Sequence, residues 1–251
     1  MKAFQKYSPL ITLAILVIVW YIAAVFVNSR LIFPTPVDTF FALIDVFKTG
    51  AFYRSLLGSF VRTVLSFSIA FVCAILLALL SNSFYIVERL MYPIILIVRA
   101  TPTMSVIFLC LIWFSSKISP MIVAVAVIFP VMYSSILTAI KSCDNKLLEM
   151  SKVYKVPSHK VITKLYLPFV ADKVYSDAIS AISLNVKLII AAEALAQTSK
   201  SLGVLMQISK LNLETATLFA YTVSALIMSF LLECALKLIR KIFKGGAQCQ
   251  N

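Results

Sequence analysis

Residues 60–80 read FVRTVLSFSIAFVCAILLALL, an apolar run with one charged residue, Arg62, near its start. About 20 consecutive apolar residues wound as a helix cross the roughly 30 Å hydrocarbon core of a bilayer. Five more stretches of this kind flank it, at Leu10–Val27, Leu90–Phe114, Ser119–Ile140, Phe169–Leu195 and Ala216–Ile239. The pattern predicts an all-α, polytopic membrane protein with about six transmembrane helices.

Composition supports this class. The chain has 251 residues, 61% hydrophobic and 13% charged, with a mean hydropathy of +0.99. A soluble domain is about 45–50% apolar and about 25% charged, so the excess must face lipid. With 5 Gly and 9 Pro against 18 Phe and 10 Tyr, low-complexity disorder is ruled out. The net charge of +13 would raise nucleic acid as a partner for a soluble chain. Here it is read as the excess of Lys and Arg that membrane proteins keep in cytoplasmic loops, with no nucleic-acid partner. The five cysteines show neither C-x-x-C nor metal-ligand spacing.

The chain reads as a single transmembrane unit over 1–251: an uncleaved signal anchor at 1–30, an outer linker at 31–59, and a core at 60–243 that contains a cytoplasmic loop at 141–168. With the N-terminus inside, fourteen basic residues fall on the inner side and seven on the outer, Arg99 and Lys187 remaining in the membrane. Both termini are therefore expected in the cytoplasm, and the whole protein in a cell membrane, multi-pass. Val37–Phe47, weakly amphipathic, is expected to lie at the surface.

Several chemistries lack their residues. The sequence contains no G-x-x-x-x-G-K-[ST] phosphate loop, so any ATP that drives it binds another polypeptide. H-E-x-x-H and G-x-S-x-G are also missing, and the one histidine, His159, falls in the basic loop. Neither a catalytic nor a metal site is expected.

The basic segment Lys141–Pro168 reads as two short helices. Asp144 can cap the first, which puts Leu147, Leu148, Ser151 and Tyr154 on one face; Pro157 interrupts, Ser158 can cap the second, and Pro168 marks entry to the next span. A small apolar face with a charged back suits a groove in a partner protein. It equally suits the surface of anionic lipid, to which its lysines are attracted.

Glu149-Met150-Ser151, Lys155 and Leu165-Tyr166-Leu167-Pro168 together resemble the E-A-A…G…I-x-L-P loop of binding-protein-dependent ABC importer permeases. Phe33-Pro34-Thr35-Pro36 resembles that family's F-P-x-P, Arg99-Ala100-Thr101-Pro102 its R-x-x-P, and Ala192-Glu193 with Leu202-Gly203 its A-E…G-[LI]-G region. Order and spacing point to the nitrate/sulfonate/taurine-type branch, which includes importers of thiamine-pyrimidine precursors. Lys155 stands where the family carries Gly, which costs about 1 kcal/mol if a positive-φ turn is kept there; Pro157 is the alternative break.

The resemblance implies a type I importer permease fold, paired with a second, identical permease copy. It also implies a separate ABC ATPase subunit carrying ATP-Mg, an extracytoplasmic solute-binding protein, and a small anionic solute. Leu147, Leu148, Glu149, Ser151, Tyr154, Lys155 and Pro168 would form the ATPase-coupling loop. Arg99, Pro102, Lys187 and Glu193 would line the translocation path or its gate.

Intramembrane charges carry a cost of about 2.5–3.5 kcal/mol each at mid-depth. Glu233 has Lys237 four residues on, a favourable helical pair. Arg99 is expected either to bond carbonyls freed by Pro102, to pair with Glu193, or, with Lys187, to face an anionic solute. Two other functions fit six spans. An ion-coupled secondary transporter would need no ATPase, but its repeated halves are not evident. A membrane enzyme would need clustered acids, and Asp172 and Asp177 are the nearest approach.

Overall fold

The computed structural model describes residues 2–29, 31–142, 157 and 167–248, with side chains described between 11 and 241 of these ranges. Among them the secondary structure is helical: α1 (Lys2–Val27), α2 (Pro36–Phe47), α3 (Gly50–Ser83), α4 (Tyr85–Ala100), α5 (Thr103–Trp113), α6 (Ser119–Lys141), α7 (Leu167–Ala196), α8 (Leu202–Leu211) and α9 (Thr215–Gln248). Helices α3, α6, α7 and Thr215–Lys241 of α9 are each long and apolar enough to cross a membrane. In α1, Ile11–Val27 is a further apolar helix.

The stretch expected as one span at Leu90–Phe114 is instead two helices, α4 and α5, bent by 98°. The physical cause is Pro102, which has no N–H to continue the ladder and disfavours helical backbone at the residue before it. Thr101 is accordingly extended, with φ −70° and ψ 127°. The pair still runs from one end of α6 to the other. At one end Glu88 of α4 salt-bridges Lys141, the last residue of α6. At the other, Thr198 Oγ1 donates to the Ser116 carbonyl just after α5, at 2.7 Å.

The centre of the bundle is α6, packed between α3 and α7. Helix α3 carries a stripe of small residues, Ser59, Thr63, Ser66, Ala70, Ala74 and Ala78, all without exposed surface; Ser59, Thr63 and Ser66 meet α7 and the start of α8. Association of helices in lipid relies on close backbone approach, which small side chains permit. Val123, Ala124, Ile128 and Met132 of α6 are likewise fully buried, Val123 in a cluster with Ile107, Cys110 and Ala192. A few polar bonds cross the core, among them Ser81 Oγ with Tyr133 Oη at 2.8 Å and Ser135 with Asp177.

The linker is ordered by its own motif. Thr35 caps α2 reciprocally with Asp38, its Oγ1 accepting from the Asp38 N–H at 3.1 Å while Asp38 accepts from the Thr35 N–H at 3.2 Å. Pro36 occupies the first turn, where a missing N–H costs nothing. The Pro34 carbonyl accepts from Trp20 Nε1 at 3.1 Å, and Trp20 stacks on Phe219 of α9. Thus α1 is pinned at one point to α9, while most of its apolar surface stays exposed. Residues 37–47 form a helix on α9 that leaves Phe40 and Phe41 exposed.

Candidate functional site: a buried carboxylate and two exposed cations

The bundle has a basic end, where α6 leaves and α7 returns around residues 143–166, and an opposite end holding the α7–α8 loop. Near the opposite end Glu193 has no exposed surface. Its Oε2 accepts from Ser59 Oγ at 2.6 Å and from the Gly203 N–H at 3.4 Å; its Oε1 accepts from Arg62 Nη1 at 2.7 Å. Arg62 also donates through Nη2 to the Ser199 carbonyl at 3.2 Å. Ser59 in turn accepts from the Leu202 N–H at 2.9 Å.

The local sequence explains why these groups meet. Ser201 caps α8, accepting from the Val204 N–H at 3.2 Å and donating to the Thr198 carbonyl at 2.7 Å. That turn directs the positive end of α8 at the Glu193 carboxylate. Gly203 lies against the α7 backbone so closely that a Cβ would stand 2.4 Å from the Ile190 carbonyl and 2.6 Å from the Ala194 nitrogen. Gly58 plays the same part on α3, where a Cβ would stand 2.3 Å from the Lys200 carbonyl. About two turns deeper, Asn185 Nδ2 donates to the Thr63 carbonyl at 2.8 Å and to Ser66 Oγ at 3.0 Å.

Glu193 therefore pairs with Arg62, on α3, and not with Arg99. The reason is geometric: Arg99 is on α4, toward the basic end of the break, and faces a different cavity. It is exposed and lines a space of about 470 Å³ between α4 and α6, together with Glu88, Tyr92, Tyr133, Ser134 and Thr138. Pro102 precedes α5 and turns the chain at the break. Lys187 is exposed on α7 and does not line that cavity. Leu147, Leu148, Glu149, Ser151, Tyr154 and Lys155 lie outside the described residues, as does His159. Pro168 is at the exposed start of α7, where Lys173 Nζ reaches Ser142 Oγ at 3.2 Å and holds the two ends of the loop together.

The remaining acids are dispersed. Asp172 pairs with Arg240 at 3.1 Å, Asp177 bonds Ser135, and Glu233 bonds Ser183 and lies 3.7 Å from Lys237. No group of three His, Cys, Asp or Glu that could hold a metal occurs among the described residues. Ser59, Arg62 and Gly58 were not singled out from sequence. Their one visible signal is Arg62 itself, the lone charge in the run 60–80.

Comparison with known proteins agrees with this architecture. Residues 70–244 match the family model described as binding-protein-dependent transport system inner membrane component. The taurine transport system permease protein TauC of Escherichia coli (strain K12) is 25% identical over 240 residues, 92% of this chain and 86% of TauC. SsuC of Bacillus subtilis (strain 168), named for aliphatic sulfonates transport, is 26% identical over 172 residues, 66% of this chain. That match spans 61% of SsuC, less than two thirds of its length. The formylaminopyrimidine transport permease protein ThiX of Halalkalibacterium halodurans is 21% identical over 168 residues, 66% of this chain and 67% of ThiX.

Two solved structures share the fold. A chain of an amino acid ABC transporter superposes with TM-score 0.62 at 14% identity, covering 80% of this chain and 96% of its own. A chain of a bacterial ABC transporter involved in the import of alginate, an acidic polysaccharide, gives 0.57 at 17%, covering 95% and 98%. With a bundle of crossing helices, a proline-broken span and a family match over well more than half its length, this chain belongs to the inner-membrane permeases of binding-protein-dependent ABC transport systems.

Proposed function

We propose that the chain is one of two identical permeases in an ATP-driven importer of a small anionic solute, of the sulfonate, taurine, nitrate or thiamine-precursor kind. A binding protein delivers the solute from outside, and a separate ATPase supplies the work. The observation that carries this reading is the match of family and fold over most of the chain, joined to the basic elbow at 141–168 between the two central helices. The names of the relatives, two of them concerned with sulfonates, support the anionic solute. The proposed layout keeps 1–30 as anchor, 31–59 as outer linker and both termini in the cytoplasm.

In this mechanism the elbow is a handle. It joins α6 to α7, and α6 is also packed on α3, so a displacement of the elbow moves the centre of the bundle as a unit. Closure of the ATPase pair on ATP then biases the permeases between inward- and outward-open states, by no more than the difference in nucleotide affinity of those states. Leu147, Leu148, Glu149, Ser151, Tyr154 and Lys155 are proposed to seat in the ATPase, with Pro168 fixing the start of α7.

Glu149→Arg tests the handle. In proteoliposomes containing the permease with its ATPase and binding protein, solute uptake is expected to fall at least tenfold, while basal ATP hydrolysis and the permease content of the vesicles stay near the parent level. Unchanged uptake would refute the assignment. If the permease concentrated solute with no ATPase present, the ion-coupled alternative would replace this reading.

A further inference from the structure

At the opposite end of the bundle, beside the Arg62–Glu193 pair, lies a cavity of about 550 Å³ lined by Arg54, Arg62, Lys117 and Lys200, with Gly58 and Ser199. The four cations come from three separate places: Arg54 and Arg62 from α3, Lys117 from the α5–α6 loop and Lys200 from the α7–α8 loop. No carboxylate lines the cavity. The nearest, Glu193, is buried behind Arg62 and is neutralised by it. Arg54, Lys117 and Lys200 have no ion-pair partner among the described residues, although acids elsewhere in the chain are regularly paired.

Unpaired like charges around one open cavity repel one another, and an anion bound among them relieves that repulsion. The arrangement is also built by the fold. The close approach of Gly58 to the Lys200 carbonyl sets one wall, and Lys200 adopts a positive φ of 53° in making it. Arg62 is held in place by Glu193 and the Ser199 carbonyl, which engage both of its terminal nitrogens, so the free charges of the cavity are Arg54, Lys117 and Lys200.

We propose that this cavity is an oxyanion-binding site that takes a sulfonate or phosphate group, with Arg54, Lys117 and Lys200 as the capturing charges and Arg62 at its base. The oxyanion has two sources, a free solute or the headgroup of an anionic lipid. Identification with the transported solute rests on the importer reading; the site itself does not. An anion held here stands next to the Arg62–Glu193 link that fastens α3 to α7 and α8.

Lysine footprinting of the full chain in nanodiscs tests the site without any ATPase, so its outcome is separate from that of the Glu149→Arg experiment. Lys117 and Lys200 are acetylated with an activated ester and quantified by peptide mass spectrometry against Lys210, at constant ionic strength. In phosphatidylcholine nanodiscs, methanesulfonate is expected to slow acetylation of both at least threefold relative to Lys210. Arg54→Gln should abolish that protection and Arg54→Lys restore most of it. The same protection found only in nanodiscs containing phosphatidylglycerol, without methanesulfonate, would identify a lipid headgroup as the source. Equal rates with and without either anion, equal slowing at Lys210, or protection unaltered by Arg54→Gln would overturn the site.

Discussion

Glu193 is a carboxylate with no exposed surface, surrounded by the Ser59 hydroxyl, the Gly203 N–H and the Arg62 guanidinium. Removing one partner of such a pair costs about 3–5 kcal/mol, because the other charge is left buried and uncompensated; replacing both costs far less. Arg62→Met alone is therefore expected to lower the midpoint of thermal unfolding in detergent sharply and to reduce the yield of folded protein. Adding Glu193→Gln, which removes the charge but still accepts from Ser59 and Gly203, should recover most of the loss. Equal stability of Arg62→Met and the parent, read by size-exclusion after heating, would show that the pair carries no structural weight.

Elements meet here through residues too small to be conspicuous. Helix α8 lies on α7 because Gly203 admits the Ile190 carbonyl and the Ala194 nitrogen, positions that a side chain would fill. Both obstacles are backbone, so Gly203→Ala cannot be relieved by a rotamer change. It should destabilise by more than the about 1 kcal/mol of an average substitution and detach α8. Gly50→Ala, where a Cβ meets nothing within 4 Å, should be neutral in the same unfolding assay and serves as the control. What was legible in sequence follows the same division. The Thr35–Asp38 capping box was not read, although its partners are only three residues apart, because Phe33–Pro36 stands out as a motif rather than as a helix start. The crossings were readable because hydropathy averages over a whole span. Pro102 was visible as a break in the hydrogen-bond ladder, but hydropathy does not register direction, so the 98° bend there was not. The Glu193 partner was hidden for another reason: Arg62 is 131 positions away and α3 and α7 meet only in the fold.

At the scale of the molecule, apart from the pairs Glu88–Lys141, Asp172–Arg240 and Glu233–Lys237, three zones of charge stand out. The paired zone joins α3, α7 and α8; the oxyanion site lies beside it; and Arg99 and Lys187 stand exposed on α4 and α7, outside both. An exposed cation between apolar helices is costly against lipid, so, if the proposed pairing of two copies holds, these two are expected to face either the other copy or water in a path between them. Arg99 already borders a space lined by Tyr92, Ser134 and Thr138, groups able to hydrogen-bond an anion or its water. If the path passes both cations, Lys187→Met and Arg99→Met should each weaken uptake of an anionic solute at least fivefold through a raised half-saturation concentration, with the permease pair and its ATPase still co-purifying. Loss of the pair on size-exclusion would instead assign the cation to the contact between copies. Those outcomes differ because a charge that meets solute acts only while solute passes, whereas a charge that meets another protein chain acts in every state of the complex.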